Sequence, residues 1–164
     1  MRWIADLPNV LSLLLWGFAA TVVMTTIMYG SQVAGLSRLS LPFLVGTCLT
    51  ANRDRANVLG FVVYLIGGWV FAVVYAALFA ALGDANGWEG ALIGLIHGLF
   101  LLVVVLPVMP HFHPRMASEY EGADDVRRLE PPGFLGLNYG YRTPFTTLLA
   151  QTAYGFILGA FLPR

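Results

Sequence analysis

The sequence predicts an all-α integral membrane protein, a single domain over residues 1–164 built as a bundle of four transmembrane helices. Three observations predict this class: 58% of the 164 residues are apolar, only 11% are charged, and the mean hydropathy is +0.74. A soluble domain carries about 25% charged residues. A chain this apolar has more hydrophobic surface than the core of one soluble domain can bury, so we expect it to lie in a lipid bilayer.

Four stretches are long enough to cross a bilayer, which takes about 20 apolar residues of helix. They cover residues 10–30, 58–82, 90–108 and 144–162, and none of them contains an arginine or a carboxylate. The first has no convincing cleavage site after it, so it is expected to be a retained helix and not a signal peptide. Thr143 and Pro144 suit the N-cap and first position of the fourth helix.

The first and third loops are expected to carry interfacial segments. In loop one, "LSLPFLVGTCLTA" (residues 39–51) is apolar but too short to span, which leaves an interfacial or a shallow re-entrant segment. Loop three contains Arg115 and Arg142, expected at the headgroup level. Seven arginines lie on the side of these two loops and two, Arg2 and Arg164, on the other. The positive-inside rule therefore predicts cytoplasmic loops one and three and external termini.

The two halves of the chain weakly resemble each other, which predicts tandem helix-hairpin repeats over residues 10–82 and 90–162. "LSLPFLVGT" aligns with "LEPPGFLGL", and "GGWVFAVVY" with "YGFILGAF". Two spans per unit would relate the repeats by an axis along the membrane normal. Chance similarity between segments rich in glycine and leucine is the alternative.

Small residues at four-residue spacing predict where the helices pack, because lipid tails are as apolar as leucine and association in a membrane needs close backbone approach. They predict a compact bundle but say nothing about function. The predicted packing residues are Gly68 and Ala72 in the second helix, Gly90, Gly94 and Gly98 in the third, and Gly155 and Gly159 in the fourth.

His97 is the titratable group other than tyrosine that lies deep inside a predicted span. The structural interpretation is a neutral imidazole bonded across the helices to Gln151 or Tyr154. The functional alternative is an axial ligand to haem or a chlorophyll-type pigment. Residues two apart in extended chain share a face, so His111 and His113 are a candidate metal pair, with an interfacial helix end as the alternative.

Motifs of the common enzyme classes are absent: the sequence has no G-x-S-x-G, P-loop, HExxH or CxxC. The net charge is zero, which gives no electrostatic reason to expect nucleic acid as a partner. The single cysteine, Cys48, excludes an internal disulfide. No cofactor is expected apart from the haem or pigment alternative at His97.

Several stretches resemble a family of small multi-pass bacterial membrane proteins of unknown function. They are "HPRMASE" (113–119), "LEPPGFLGLNYGYRTPFTTLLAQTAYGFILGAF" (129–161), "DRANVLGFVVYLIGGWVFAVVYAALF" (54–79) and "GALIGLIHG" (90–98). The resemblance implies the cytoplasmic (inner) membrane of a bacterium and no particular activity. A histidine is frequent in that family where this chain has Gln151, so a ligating histidine pair in the bundle is in doubt here.

The leading functional hypothesis is a non-enzymatic accessory or scaffold subunit of a larger membrane complex, because packing residues occur on every helix and no catalytic constellation is seen. Its expected partners are membrane lipids and either other membrane subunits or further copies of itself. A small transporter or channel acting as a homo-oligomer is one alternative, and a haem or pigment protein using His97 is another.

Overall fold

The computed structural model describes residues 9–83, 86–117 and 128–162, which form helices joined by turns and one isolated bridge between Met116 and Leu129. The predicted all-helical class is confirmed. The elements in order are α1 (Val10–Val33), α2 (Leu41–Leu49), α3 (Arg53–Leu82), α4 (Gly87–His111), a 3₁₀ helix (Phe134–Tyr139) and α5 (Thr143–Phe161).

Three of these helices, α1, α3 and α4, are long and apolar enough to cross a membrane. The fourth predicted span does form a helix, α5, but this helix does not reach the same hydropathy. Its buried face carries Thr146, Thr147 and Gln151. A helix that packs mainly against other helices has less need of apolar residues on every side, which is why α5 is the more polar of the four.

The helices α3 and α4 begin earlier than the predicted spans because asparagine side chains cap them outside the apolar stretch. Asn52 accepts from the backbone N–H of Arg55, and Asn86 accepts from the N–H groups of Trp88 and Glu89. Such caps satisfy donors that a helix start leaves unpaired. The prediction that Thr143 is the N-cap of α5 is wrong, because Thr143 is the first helical residue. Its hydroxyl forms a hydrogen bond with Ser37 Oγ at 2.8 Å instead of capping the helix.

Small residues let neighbouring long helices run antiparallel with their backbones close together. A Cβ on Gly94 would overlap the Gln151 backbone oxygen, and one on Gly68 would overlap the Thr21 hydroxyl. All of the predicted packing residues lie at such helix contacts within the chain: Gly68 and Ala72 at α1, and Gly90, Gly94, Gly98, Gly155 and Gly159 between α4 and α5. The order around the bundle is α3, α1, α5, α4.

The short helix α2 packs antiparallel to the first turns of α3. A Cβ on Gly46 would overlap the backbone oxygen of Ala56, and one on Gly60 that of Pro42. The connection from α1 is also buried, with Leu39 fully enclosed. The backbone polar groups of this connection form hydrogen bonds within the protein, as buried groups must. The Arg38 N–H donates to the Tyr139 backbone oxygen, and the Gln32 side-chain amide donates to the Leu39 backbone oxygen.

The matched segments of the two halves differ in structure. Residues 39–47 lead into the α-helix α2, whereas residues 129–137 lead into a 3₁₀ helix in which Leu135 and Gly136 have positive φ. Both halves still place a short helix between two long ones. The internal repeat stays a prediction.

Candidate ligand-binding cavity

The helix α4 is interrupted in its middle by a π-helical turn, Leu101–Val105, where the N–H of Leu106 bonds to the Leu101 oxygen. Pro107, which lies just beyond this turn, is its cause. In a regular α-helix the ring of Pro107 would clash with the carbonyl four residues earlier. The wider turn avoids the clash and carries α4 on to His111, past the end at residue 108 predicted from the sequence. Such π-turns recur at functional sites.

Beside this turn, a cavity of about 330 Å³ separates α4 from α3. Its volume falls in the range of about 300–1,000 Å³ typical of small-molecule sites. Aromatic rings form much of its wall, and among the described residues that line it none carries a formal charge. The lining residues used below are Tyr64, Gly67, Phe71, His97, Phe100, Gln151 and Tyr154.

His97 borders the cavity with one ring nitrogen engaged. Its Nδ1 lies 3.3 Å from the Tyr75 hydroxyl, and its ring packs at 4.4 Å between centroids on Phe71. The expectation that His97 bonds to Gln151 or Tyr154 is wrong, because the bond is to Tyr75 of α3. When Tyr75 donates to Nδ1, the imidazole carries its proton on Nε2, which has no hydrogen bond among the described residues.

Gln151 is the second polar group of the cavity and is only 4% exposed. Its Oε1 is buried and has no hydrogen-bond partner among the described residues. A buried acceptor without a partner costs about 1–3 kcal/mol. Rotation about the terminal torsion of glutamine is soft, so the amide can offer the cavity either a carbonyl oxygen or an N–H donor.

The tyrosines of the wall are already engaged. The Tyr154 hydroxyl donates to the Gly68 oxygen at 2.6 Å, and Tyr64 donates to the Met24 sulfur at 3.6 Å. Tyr75 packs edge-on against Tyr154 at 5.5 Å. These contacts hold the wall in place and use the hydroxyl protons of Tyr64 and Tyr154, so the described wall keeps a free N–H on His97 and an unpartnered oxygen on Gln151.

A second cavity of about 380 Å³ lies beside the first, nearer the end of α4. The two share Val45, Val105 and Met109 in their walls. The second is lined almost wholly by apolar side chains, including Leu44, Val104, Val108 and Phe112. The two cavities therefore adjoin along α4, and the second also has Cys48 and His113 in its wall.

His113 and Arg115 hold the segment after α4 to the C-terminal end of α2. The His113 Nε2 lies 3.0 Å from the Leu44 oxygen, and its Nδ1 accepts from the Arg115 N–H at 3.2 Å. The Arg115 guanidinium donates to the last carbonyls of α2, those of Thr47 and Cys48. A cation that pairs such carbonyls also favours the negative end of the helix dipole.

These contacts of His113 determine how well His111 and His113 could bind a metal ion together. Both nitrogens of the buried His113 ring face protein atoms, whereas His111 is exposed and its Nδ1 lies 3.2 Å from the Val108 oxygen. In the described residues, no group of three or more histidine, cysteine, aspartate or glutamate side chains is placed to hold a metal ion. The geometry favours a structural role for His113.

Arg142, the other predicted interfacial arginine, is exposed and packs over the ring of Tyr141 at 5.1 Å. Neither Tyr75 nor the π-turn was singled out from the sequence. Tyr75 continues the inward stripe Gly68, Ala72, Ala76 of α3, which was available as a signal. For the π-turn, Pro107 was the available signal.

Comparison with protein-family models, curated proteins and solved structures finds no match to the chain. The resemblance to a bacterial membrane family therefore stays a prediction.

Proposed function

We propose that the protein is a four-span protein of the bacterial inner membrane that binds a lipid-soluble small molecule between α3 and α4. The observation that carries the proposal is the cavity itself, in which the unpartnered amide of Gln151 and the free nitrogen of His97 lie within apolar walls. Pockets of this kind, apolar with a few polar groups, are typical of small-molecule sites.

The inclusion of α5 as a fourth span is supported by its contacts with α1. Phe161 stacks on Trp16 at 4.6 Å, and Thr143 bonds to Ser37 beyond the other end of α1. α5 therefore covers nearly the same thickness as α1, which is itself a candidate span.

The arginines support the proposed orientation. Those among the described residues lie at the end of the bundle where α1 and α4 finish, and we place that end in the cytoplasm. They are Arg38, Arg53, Arg55, Arg115, Arg128 and Arg142. Arg2, Arg127 and Arg164, and with them the predicted external termini, lie outside the described residues.

The geometry favours ligand binding over the other functional hypotheses. The accessory-subunit hypothesis drew on small-residue faces available to other helices, but these faces pack inside this chain. A channel or carrier for ions would need charged or polar groups along its route, and the described lining is mostly apolar. The haem or pigment hypothesis has one free imidazole nitrogen to offer, and an absorption spectrum of the purified protein tests it.

The test uses the full chain in lipid nanodiscs and a fatty acid with a photoreactive diazirine near the end of its chain, so that the carboxylate can stay at the membrane surface while the chain enters the cavity. Gly67 lines the cavity and has open space where a side chain would go. We expect peptides from α3 and α4 to be labelled, and Gly67→Leu to remove most of this labelling by filling the cavity.

Gly30→Leu is the matched control, because Gly30 also lies in a helix with open space but outside the cavity lining. We expect it to be labelled like the unmodified chain. Equal labelling of both variants at α3 and α4 would reject the cavity as the binding site.

A further inference from the structure

We infer that the ligand is a neutral six-membered ring of the quinone–quinol class that carries an apolar tail, with the ring held between His97 and Gln151 and the tail in the second cavity. This inference rests on the proposed binding function and names its ligand. It depends on the polarity of the lining, on the depth of the polar groups and on the two cavities lying side by side.

The polarity requires a neutral ligand with oxygen substituents. Among the described lining residues none could pair with a charged headgroup, and burying an unpaired charge is far too costly. His97 Nε2–H is a donor, and the Gln151 amide is both a donor and an acceptor. A ring that carries hydroxyl or carbonyl oxygens can bond to both, and a hydroxyl supplies the proton that Gln151 Oε1 lacks.

The walls of the first cavity suit a flat ring. Phe71 and Phe100 come from facing helices, and Tyr64 and Tyr154 lie deeper in the same space. Aromatic pairs gain about 0.5–1.5 kcal/mol beyond the burial of their area. The space is therefore better matched to a ring than to an acyl chain alone.

The depth of the polar groups distinguishes this ligand from a phospholipid. At 1.5 Å per residue, His97 lies about 15 Å from the start of α4 and about 21 Å from its end. A phospholipid would place its polar head at the membrane surface and its chain beside His97 and Gln151, which would leave both unpaired. A quinol with its ring at mid-depth satisfies them and fills the apolar second cavity with its tail.

The ligand can enter sideways from the bilayer. Phe71 and Phe100 line the cavity and are 43% and 54% exposed on the outer faces of α3 and α4. Among the described residues, few contacts hold these two helices together besides those of His97 with Tyr75 and Phe71. The route from the bilayer thus leads directly to the two polar groups.

The experiment measures competition against the diazirine fatty acid in nanodiscs that contain the full chain. The competitors are decylhydroquinone and decylbenzene, which share the ring and the tail but differ in the two hydroxyls. We expect decylhydroquinone to displace the probe at a concentration at least about tenfold lower than decylbenzene, since each lost buried hydrogen bond costs about 1–3 kcal/mol.

The variant Gln151→Leu should abolish most of this difference. It removes an unpaired buried oxygen and so should retain the fold, which the thermal midpoint checks. Thr26→Val, an exposed change on α1 away from the cavity, is the control that should keep the difference. His97→Phe should also reduce it.

The outcomes separate the two proposals. If the fatty acid labels the cavity but both competitors act equally, the quinol inference is wrong and the proposed binding function stands. If decylhydroquinone retains its advantage in both Gln151→Leu and His97→Phe, the assigned site is wrong. If the fatty acid fails to label α3 and α4 in the unmodified chain, the binding function itself fails.

Discussion

Gly90 of α4 and Gly155 of α5 each occupy the space that a side chain on the other would need. A Cβ on Gly90 would overlap the Gly155 backbone oxygen, and a Cβ on Gly155 would overlap the Gly90 oxygen. Backbone atoms on both sides cannot move aside as the end of a flexible side chain can. This reciprocal contact sets the distance between α4 and α5, and through it the position of His97 beside the cavity.

The first prediction is that Gly155→Ala destabilises the bundle. We expect it to lower the free energy of unfolding by about 1–3 kcal/mol, the usual cost of overpacking. Gly67→Ala is the control, because it meets open space and should instead gain about 1 kcal/mol from the helix propensity of alanine. Denaturant unfolding in detergent, followed by circular dichroism, measures both. A Gly155→Ala variant as stable as Gly67→Ala would contradict the close packing of α4 and α5.

The second prediction concerns the π-turn of α4. Pro107→Ala restores a backbone N–H and removes the ring that prevents a regular helix, so residues 101–105 can return to α-helical geometry. We expect a more stable protein, by up to about 3 kcal/mol, and weaker labelling by the diazirine fatty acid because Leu101 and Val105 turn relative to the cavity. Thermal unfolding and labelling of the same preparation check this. Unchanged labelling would show that the π-turn does not shape the cavity.

The third prediction is a pH dependence of stability due to Tyr139. Burial raises the pKa of Tyr139 to about 12, and the negative charge of Glu130 contributes to this rise. The positive charge of Arg38 acts in the opposite direction and lowers the pKa. Its hydroxyl donates to the Glu130 backbone oxygen. A raised pKa means that the stabilising contribution is complete below the unfolded value of about 10 and is lost as the pH rises toward about 12.

We therefore expect Tyr139→Phe to lose about 1 kcal/mol at neutral pH, the usual net value of a hydrogen bond. The difference in thermal midpoint between the unmodified chain and this variant should shrink as the pH is raised above about 10. A difference that stays constant over that interval would rule out the titration of Tyr139 as its source.

The fourth prediction uses Cys48 as a native reporter of the contact between Arg115 and α2. Burial raises the pKa of the Cys48 thiol, and the positive charge of Arg115 lowers it. Removing that charge in Arg115→Gln should move the midpoint of the pH–rate profile for iodoacetamide alkylation to higher pH. Arg142→Gln, at the same end of the bundle, should leave it in place. An unshifted midpoint in Arg115→Gln would contradict the close approach of the two groups.

Much of the helical architecture could be predicted from hydrophobic runs. Residues 10–30, 58–82, 90–108 and 144–162 all lie almost entirely in helices, and the spacing of Gly90, Gly94 and Gly98 indicated one packing face. The starts of α3 and α4 were missed because hydropathy marks only the apolar part of a helix. Arg53 and Asp54 belong to α3 because Asn52 caps it upstream.

The candidate site was less accessible to sequence reasoning. His97 was singled out as a buried titratable group, but its partner Tyr75 is 22 residues away on another helix. Which side chains meet across helices depends on the rotation of each helix, and that rotation is set by the glycine contacts as a whole. Likewise, the tie between His113 and α2 joins residues 69 positions apart.

By itself, the sequence determined the class of the protein and the order of its helices. A segment's own composition shows whether it is apolar enough to be buried in lipid, and a helix pairs its backbone groups within the same segment. The tertiary structure alone decided that α5 presents Gln151 to an apolar cavity, that Pro107 opens a π-turn beside it, and that His97 turns to Tyr75. These features arise from the packing of one helix against another. The cavity is the space left where α3 and α4 do not meet, and no single segment encodes such a gap.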